Sequence, residues 1–183
     1  RIGSKDLIDY LPSNETTLLT LEYADAAFLG DGEGGRPIPV GIEVKTVPDA
    51  LQCITNGRFA GHQLPGLLRD YKWIYLLIEG RYRKGKTGIL EMPRGRGWQT
   101  VTLGGRAYRW RDFESWLTTM ETMGGVHIRR SFNRAETAEM IQGLHDWWTR
   151  KEWSDHRAHL VPDTSHLPVL ATKVSLLRRI ANE

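Results

Sequence analysis

The stretch Trp73-Ile-Tyr-Leu-Leu-Ile-Glu79 constrains the fold more than any other, because a short apolar run with polar flanks reads as a buried strand. It is also the longest apolar run in the chain, far below the roughly 20 residues that a membrane span requires. Around it, strand-like and helix-like segments alternate. A short helix is expected over Lys5–Leu11, stopping at Pro12, and Thr17–Tyr23 reads as a strand. A hairpin follows: a strand over Asp25–Leu29, the turn signal Asp31-Gly-Glu-Gly-Gly, and a return strand over Val40–Thr46. Pro48 suits the first turn of a helix that Gly57 can end after Asn56. Phe59–Tyr71 is helical in pattern but holds Pro65, so a kink or two short pieces is expected. Phe113, Trp116, Leu117 and Met120 have helical spacing, and Val126–Arg130 is a short strand. Asn133 can cap a helix striped with Met140, Ile141, Leu144 and Trp148. This alternation predicts an α/β layered domain over residues 1–150. Residues 151–168 read as a linker, and 169–183 as a C-terminal helix that leads into a following domain.

Within the return strand, Val40, Ile42 and Val44 share one face while Glu43 and Lys45 share the other. The hairpin is therefore expected to bury one side and to present a carboxylate and an amine together on the opposite side. Such a set suits phosphodiester cleavage, in which a divalent cation polarises the phosphate and activates a water. Magnesium takes one or two protein carboxylates and fills its remaining positions with water and phosphate. Asp25 and Glu43 are the expected ligands, the Val44 carbonyl can add an oxygen, and Lys45 can orient the water or offset charge. Asp31 rivals Asp25, although Asp31-Gly is a turn signature. Acid-x-Lys recurs by chance, so its context has to carry the assignment.

Other candidates read as structural. Cys53 lies beside Leu51 and Ile54 and is expected in the core. A single cysteine excludes an internal disulfide and a thiolate zinc cluster. His156-x-x-His159, Asp163 and His166 read as solvated residues. The glycines at 30–35 lack the lysine and hydroxyl residue of a nucleotide cradle. The 183-residue chain has a net charge of +3, a modest excess. Its distribution is informative: Arg81, Arg83, Lys84, Lys86, Arg94, Arg96, Arg106, Arg109 and Arg111 face one acid, Glu91, and Trp98, Tyr108 and Trp110 lie among them. Basic residues interleaved with aromatics suit phosphate contacts and base stacking, so Arg81, Arg83, Lys84, Lys86, Arg94, Arg96 and Trp98 are expected to bind DNA from a basic hairpin.

The order Leu21-Glu-Tyr-Ala-Asp25, Gly41-Ile-Glu-Val-Lys-Thr-Val-Pro-Asp49, Asn56-Gly-Arg-Phe59, Gln63, Leu76-Leu-Ile-Glu-Gly80 and Ala135-Glu-Thr-Ala138 resembles the nuclease domain of the XPF family of structure-specific DNA endonucleases. It covers about residues 18–148. Glu43 and Lys45 match the outer members of the family's Glu-Arg-Lys, Asp49 its following Asp, and Gly57-Arg58 its Gly-Arg pair. Val44 stands where the central arginine is usual, Ala24 where glycine is usual, and Gln63 one position late, with His62 before it.

The resemblance implies a restriction-endonuclease-like mixed sheet flanked by helices, and it marks the basic hairpin as an insertion. It implies Mg²⁺-dependent cleavage (Mn²⁺ as substitute) of branched or junction DNA in repair or recombination. It places Asp25, Glu43 and Lys45 at the catalytic centre, with Asp49, Arg58 and Gln63 in support; Glu79, which closes a strand, can reach its edge but reads first as structural. Pairing through the late helices, as a homodimer or with a partner subunit, is also implied, as is an early acidic element before Arg1 and a helix-hairpin-helix module after the chain. The family includes partners with degraded sites, so a non-catalytic DNA-binding or dimerisation subunit is the alternative. A general exonuclease of the restriction-like fold is a third reading. An intracellular location is expected, cytoplasmic in a bacterium or phage and nuclear in a eukaryote.

Overall fold

A computed structural model describes residues 5–13 and 16–158. Along the chain come a 3-10 helix (Lys5–Tyr10), β1 (Ala26–Asp31), β2 (Pro37–Thr46), α1 (Val47–Asn56), a π-helical turn (Phe59–Gln63), α2 (Leu64–Asp70) and β3 (Trp73–Glu79). Next are β4 (Arg83–Lys84), β5 (Leu90–Arg94), β6 (Gly97–Thr100), β7 (Thr102–Leu103) and β8 (Arg106–Ala107). The last elements are α3 (Trp110–Thr122), β9 (His127–Ser131), α4 (Arg134–Thr149) and α5 (Trp153–Ala158).

The central sheet has the order β1-β2-β3-β9. β1 runs antiparallel to β2, while β2, β3 and β9 are parallel, so the sheet is mixed as expected. Parallel neighbours need crossover connections, and α1 with α2 supplies one between β2 and β3. Helices cover both faces, which is why β3 is buried along Ile74–Ile78. On one side, Leu76 and Ile78 pack with Val47, Ala50 and Leu51 of α1, Leu67 of α2, and Phe113 and Leu117 of α3. On the other, Val40, Ile42, Tyr75 and Leu77 pack with Ala138, Ile141 and Trp148 of α4 and with Leu7.

Local signals set several boundaries. Thr46 caps α1, with its hydroxyl accepting from the Asp49 amide at 3.3 Å. Pro48 sits in the first turn, and Gly57 closes the helix at φ 65°, a left-handed value that glycine adopts without a Cβ clash. Asn133 caps α4 through the Glu136 amide at 3.0 Å. Pro65 divides the next helical stretch into the π-helical turn and α2.

Four expectations need correction. Thr17–Tyr23 is not a strand: no neighbouring chain pairs with it, and strand propensity alone does not sustain one. The basic insertion is not one hairpin but a three-stranded antiparallel sheet, β4-β5-β6, plus the small β7-β8 hairpin. β6 and β7 are divided at Val101, whose amide bonds the Leu90 carbonyl at 2.9 Å. Leu90 and Val101 are both buried, so the insertion is rooted in the helical layer that holds α1 and α3. The face carrying Glu43 and Lys45 is not open either, since α1, α2 and α3 cover it. Finally, the start of the expected linker is helical, because Trp153 of α5 stacks on Trp148 at 5.6 Å and gains an apolar partner. The expected C-terminal helix over 169–183, with His159, Asp163 and His166, lies outside the described residues.

Candidate active site

Glu43 and Lys45 lie on consecutive same-side positions near the carboxyl end of β2, with 2% and 7% of their surfaces exposed. Desolvating either charge alone is costly, so burial requires partners. The Lys45 ammonium donates to Glu43 Oε1 at 2.9 Å, and the Gln63 amide nitrogen donates to the same oxygen at 3.0 Å. Gln63 is itself buried, in the π-helical turn, where the wider winding carries it to the site. Lys45 also sits over the Phe59 ring, with its nitrogen 5.4 Å from the centroid, a cation–π contact in a shielded setting.

Asp25 reaches the site just before β1. Ala26 is paired with Ile42, yet the Asp25 amide also donates to the Ile42 carbonyl at 2.8 Å. Two successive residues thus face one, as in a β-bulge, and such a bulge re-aims a side chain. Ala24, at φ 76°, occupies the left-handed region where glycine costs least. The Asp25 carboxylate accepts the Val44 amide through Oδ2 at 2.9 Å, which holds it against the strand that carries Glu43 and Lys45.

Asp25, Glu43, Val44, Lys45, Asp49, Arg58 and Gln63 all line one cavity of about 340 Å³ at the carboxyl end of β2. In sheets with parallel strands, ligands bind outside these ends. Asp49 has a second task, since its Oδ2 accepts the Thr46 hydroxyl at 2.6 Å and so completes the start of α1. Thr46, Gln52, Cys53, Asn56 and Arg134 complete the wall. Asp49, Gln52, Cys53 and Asn56 lie at helical spacing on one face of α1, a periodicity that would have pointed to Gln52 and Asn56. Arg134 has no comparable signal in the sequence. The Cys53 thiol lies in this wall, and burial, acting foremost, raises its pKa despite the opposing pull of Lys45. It stays protonated, as suits a core thiol.

Glu79 does not line the cavity. Its carboxylate accepts the Thr137 hydroxyl at 2.7 Å and pairs with Arg134 at 3.4 Å. Asp31 ends β1, at the opposite end of the β1–β2 ladder from Ala26, and is therefore not the partner of Glu43. Among the described residues, no three or more His, Cys, Asp and Glu side chains are grouped to hold a metal ion. Asp25, Glu43 and the Val44 carbonyl are hard oxygen donors, a set that fits Mg²⁺, which uses few protein ligands.

Elsewhere, Arg81, Arg83, Lys84, Lys86, Arg94, Arg96 and Trp98 are separate from this cavity and more open to solvent. Lys84, Lys86, Arg94 and Arg96 are exposed. Arg83 pairs with Glu91 at 2.8 Å and lies 4.4 Å from the centroid of the Trp98 ring. Arg81 lies 5.0 Å from that of the Phe132 ring. Tyr108 hydrogen-bonds Thr55 of α1 and so ties the insertion to the wall of the site. The α4 stripe is largely occupied within the chain: Ile141 and Trp148 are buried, Met140 and Leu144 pack against them, and Trp147 stays 44% exposed. No helix among the described residues is long and apolar enough to cross a membrane.

A family model described as the ERCC4 domain matches residues 6–144. None of the curated proteins matches the chain in sequence. A solved structure of XPF from Aeropyrum pernix is similar at 21% identity and a TM-score of 0.44, covering 65% of this chain and 49% of that one. Another, of XPF from Aeropyrum pernix in complex with DNA, is similar at 15% identity and a TM-score of 0.44, covering 76% of this chain and 61% of that one. The chain thus spans about half to three-fifths of the length of these structures.

Proposed function

The chain belongs to the ERCC4 domain family, the nuclease domain of the XPF family, and on that premise we propose that it is a Mg²⁺-dependent endonuclease of branched or junction DNA. The observation that carries this reading is the convergence of Asp25, Glu43 and Lys45 on one cavity at the carboxyl end of β2. Asp25, Glu43 and the Val44 carbonyl would hold the ion, with Mn²⁺ as a substitute. A bound divalent cation supplies Lewis acidity toward the phosphate and lowers the pKa of a water.

The chain's own residues do the rest. Lys45 holds a positive charge beside Glu43 in a dry setting, where it can orient the attacking water or offset charge on the phosphate. Gln63 keeps the Glu43 carboxylate in one orientation. Arg58, just after α1, and the exposed bases Arg81, Arg83, Lys84, Lys86, Arg94 and Arg96 provide phosphate contacts, with Trp98 a stacking surface beside them. A role in repair or recombination follows from such a substrate. Pairing with a second copy or a partner subunit belongs to the same proposal.

The test is cleavage of flap, fork and four-way junction DNA with Mg²⁺ or Mn²⁺. Wild type should cut at least one of them, and Glu43→Gln should abolish cutting while leaving DNA affinity within a few-fold. Retained cutting in Glu43→Gln would remove Glu43 from the centre. Tight binding with no cutting by wild type would make the chain a non-catalytic DNA-binding subunit.

A further inference from the structure

The cavity is built from two layers of the fold. Asp49 and Arg58 come from α1 and the residues just after it, on one side of the sheet, whereas Arg134 is the first residue of α4, which packs on the other. Arg134 has a side chain 26% exposed, intermediate between the buried Lys45 and a freely solvated arginine. Lys45 is committed to Glu43 at 2.9 Å. Arg134 is held more loosely, with Nη1 at 3.4 Å from Glu79 Oε2, beyond the 2.7–2.9 Å usual for a tight charge-assisted bond. A guanidinium has five N–H donors, so this contact uses a small part of its capacity.

The support behind it is rigid. Glu79 is 12% exposed at the end of β3, its carboxylate accepts the Thr137 hydroxyl at 2.7 Å, and that hydroxyl lies 2.6 Å from the buried Ser131 hydroxyl at the end of β9. This chain of hydroxyls and carboxylate joins two strand ends to the first turn of α4. Its charged end, the Glu79 carboxylate, pairs with Arg134, which lines the cavity.

We propose that Arg134 binds a backbone phosphate of the DNA strand lying across the cavity, from the α4 wall opposite Arg58, and that Glu79 is a positioning residue that aims it. The inference rests on the nucleic-acid reading above, and it adds a phosphate contact from a second layer of the fold. A strand crossing the end of β2 meets a guanidinium on each side of the carboxylate centre, which fixes the path of the backbone relative to Glu43. Glu79 restrains the guanidinium before DNA arrives, so less side-chain entropy is lost on binding.

The experiment measures the affinity of the protein for a fluorescent splayed-arm duplex across a salt series, in EDTA so that nothing is cut. A lost phosphate contact flattens the log–log salt slope by about 0.9 unit. Arg134→Gln, which keeps a polar group near Glu79 but removes the charge, should flatten the slope by about that amount and weaken binding about tenfold at low salt. Arg134→Lys should restore the slope. Glu79→Gln should keep the slope while slowing cleavage of the same duplex in Mg²⁺, a separation that loss of a purely structural tie would not produce.

Melting temperatures of all variants accompany the binding series. If Arg134→Gln melts early, Arg134→Met decides, since it removes the charge but keeps the apolar stem: a slope flattened by about 0.9 unit supports the phosphate contact, and wild-type slope and affinity overturn it. An unchanged slope in folded Arg134→Gln overturns this inference alone. Wild-type protein that binds no such DNA overturns it together with the functional reading.

Discussion

Replacing Lys45 with Met tests whether the centre of the site stores an electrostatic cost. Lys45 and Glu43 are 2.9 Å apart, with side chains 9% and 2% exposed. At that distance and an effective dielectric of about 20, their attraction is about 6 kcal/mol, and desolvation of both groups offsets most of it. Lys45→Met leaves a buried carboxylate with the Gln63 amide still donating to it at 3.0 Å. Breaking one side of a buried pair costs about 3–5 kcal/mol, and Gln63 places the expected loss near the lower bound. For a domain of this size, each kcal/mol lowers Tm by about 2–4 °C, so the single substitution should lower it by roughly 6–12 °C. Glu43→Leu with Lys45→Met removes both charges and should melt at or above wild type, since apolar replacements of buried pairs are neutral or stabilising. Urea denaturation of the four proteins of the cycle, in EDTA to exclude metal binding at Glu43, measures the coupling. A loss below about 1 kcal/mol in Lys45→Met, with no coupling to Glu43, would show that the pair is solvated and would refute the account. In Mg²⁺ the same Lys45→Met protein should cleave about two to four orders of magnitude more slowly, provided it is assayed below its lowered Tm.

Two further outcomes follow from the surface. Arg94 and Arg96 are exposed on the β5–β6 part of the insertion, so replacing both with Ala should flatten the salt slope of DNA binding by up to about two units without moving the cut site; an unchanged slope would make them solvated charges. Trp147 is 44% exposed in the last turn of α4, and pairing through this helix should show as a dimer in sedimentation velocity, whereas a monomer at high micromolar concentration, unchanged by DNA, would refute it.

The sequence by itself determined the features that depend on neighbours along the chain. Thr46, Pro48 and Gly57 mark both ends of α1, Asn133 marks the start of α4, and the two-residue period of β2 places Glu43 and Lys45 on one face. The buried run at β3 and the order of strands and helices set the α/β class. A period shows which residues share a face, but it does not show what covers that face. Only the tertiary structure put Glu43 and Lys45 under a helical layer instead of in solvent, because α1, α2 and α3 close over that side of the sheet. The same limit hid Arg134, which lies in the cavity wall with residues from Asp25 to Gln63, and Glu79, which turns to α4 instead of to the site. It also explains Thr17–Tyr23, strand-like in composition yet unpaired, and Trp153, polar in its surroundings yet stacked on Trp148. Each depends on a partner far away in the chain, and packing energy between such partners leaves no local periodicity to read.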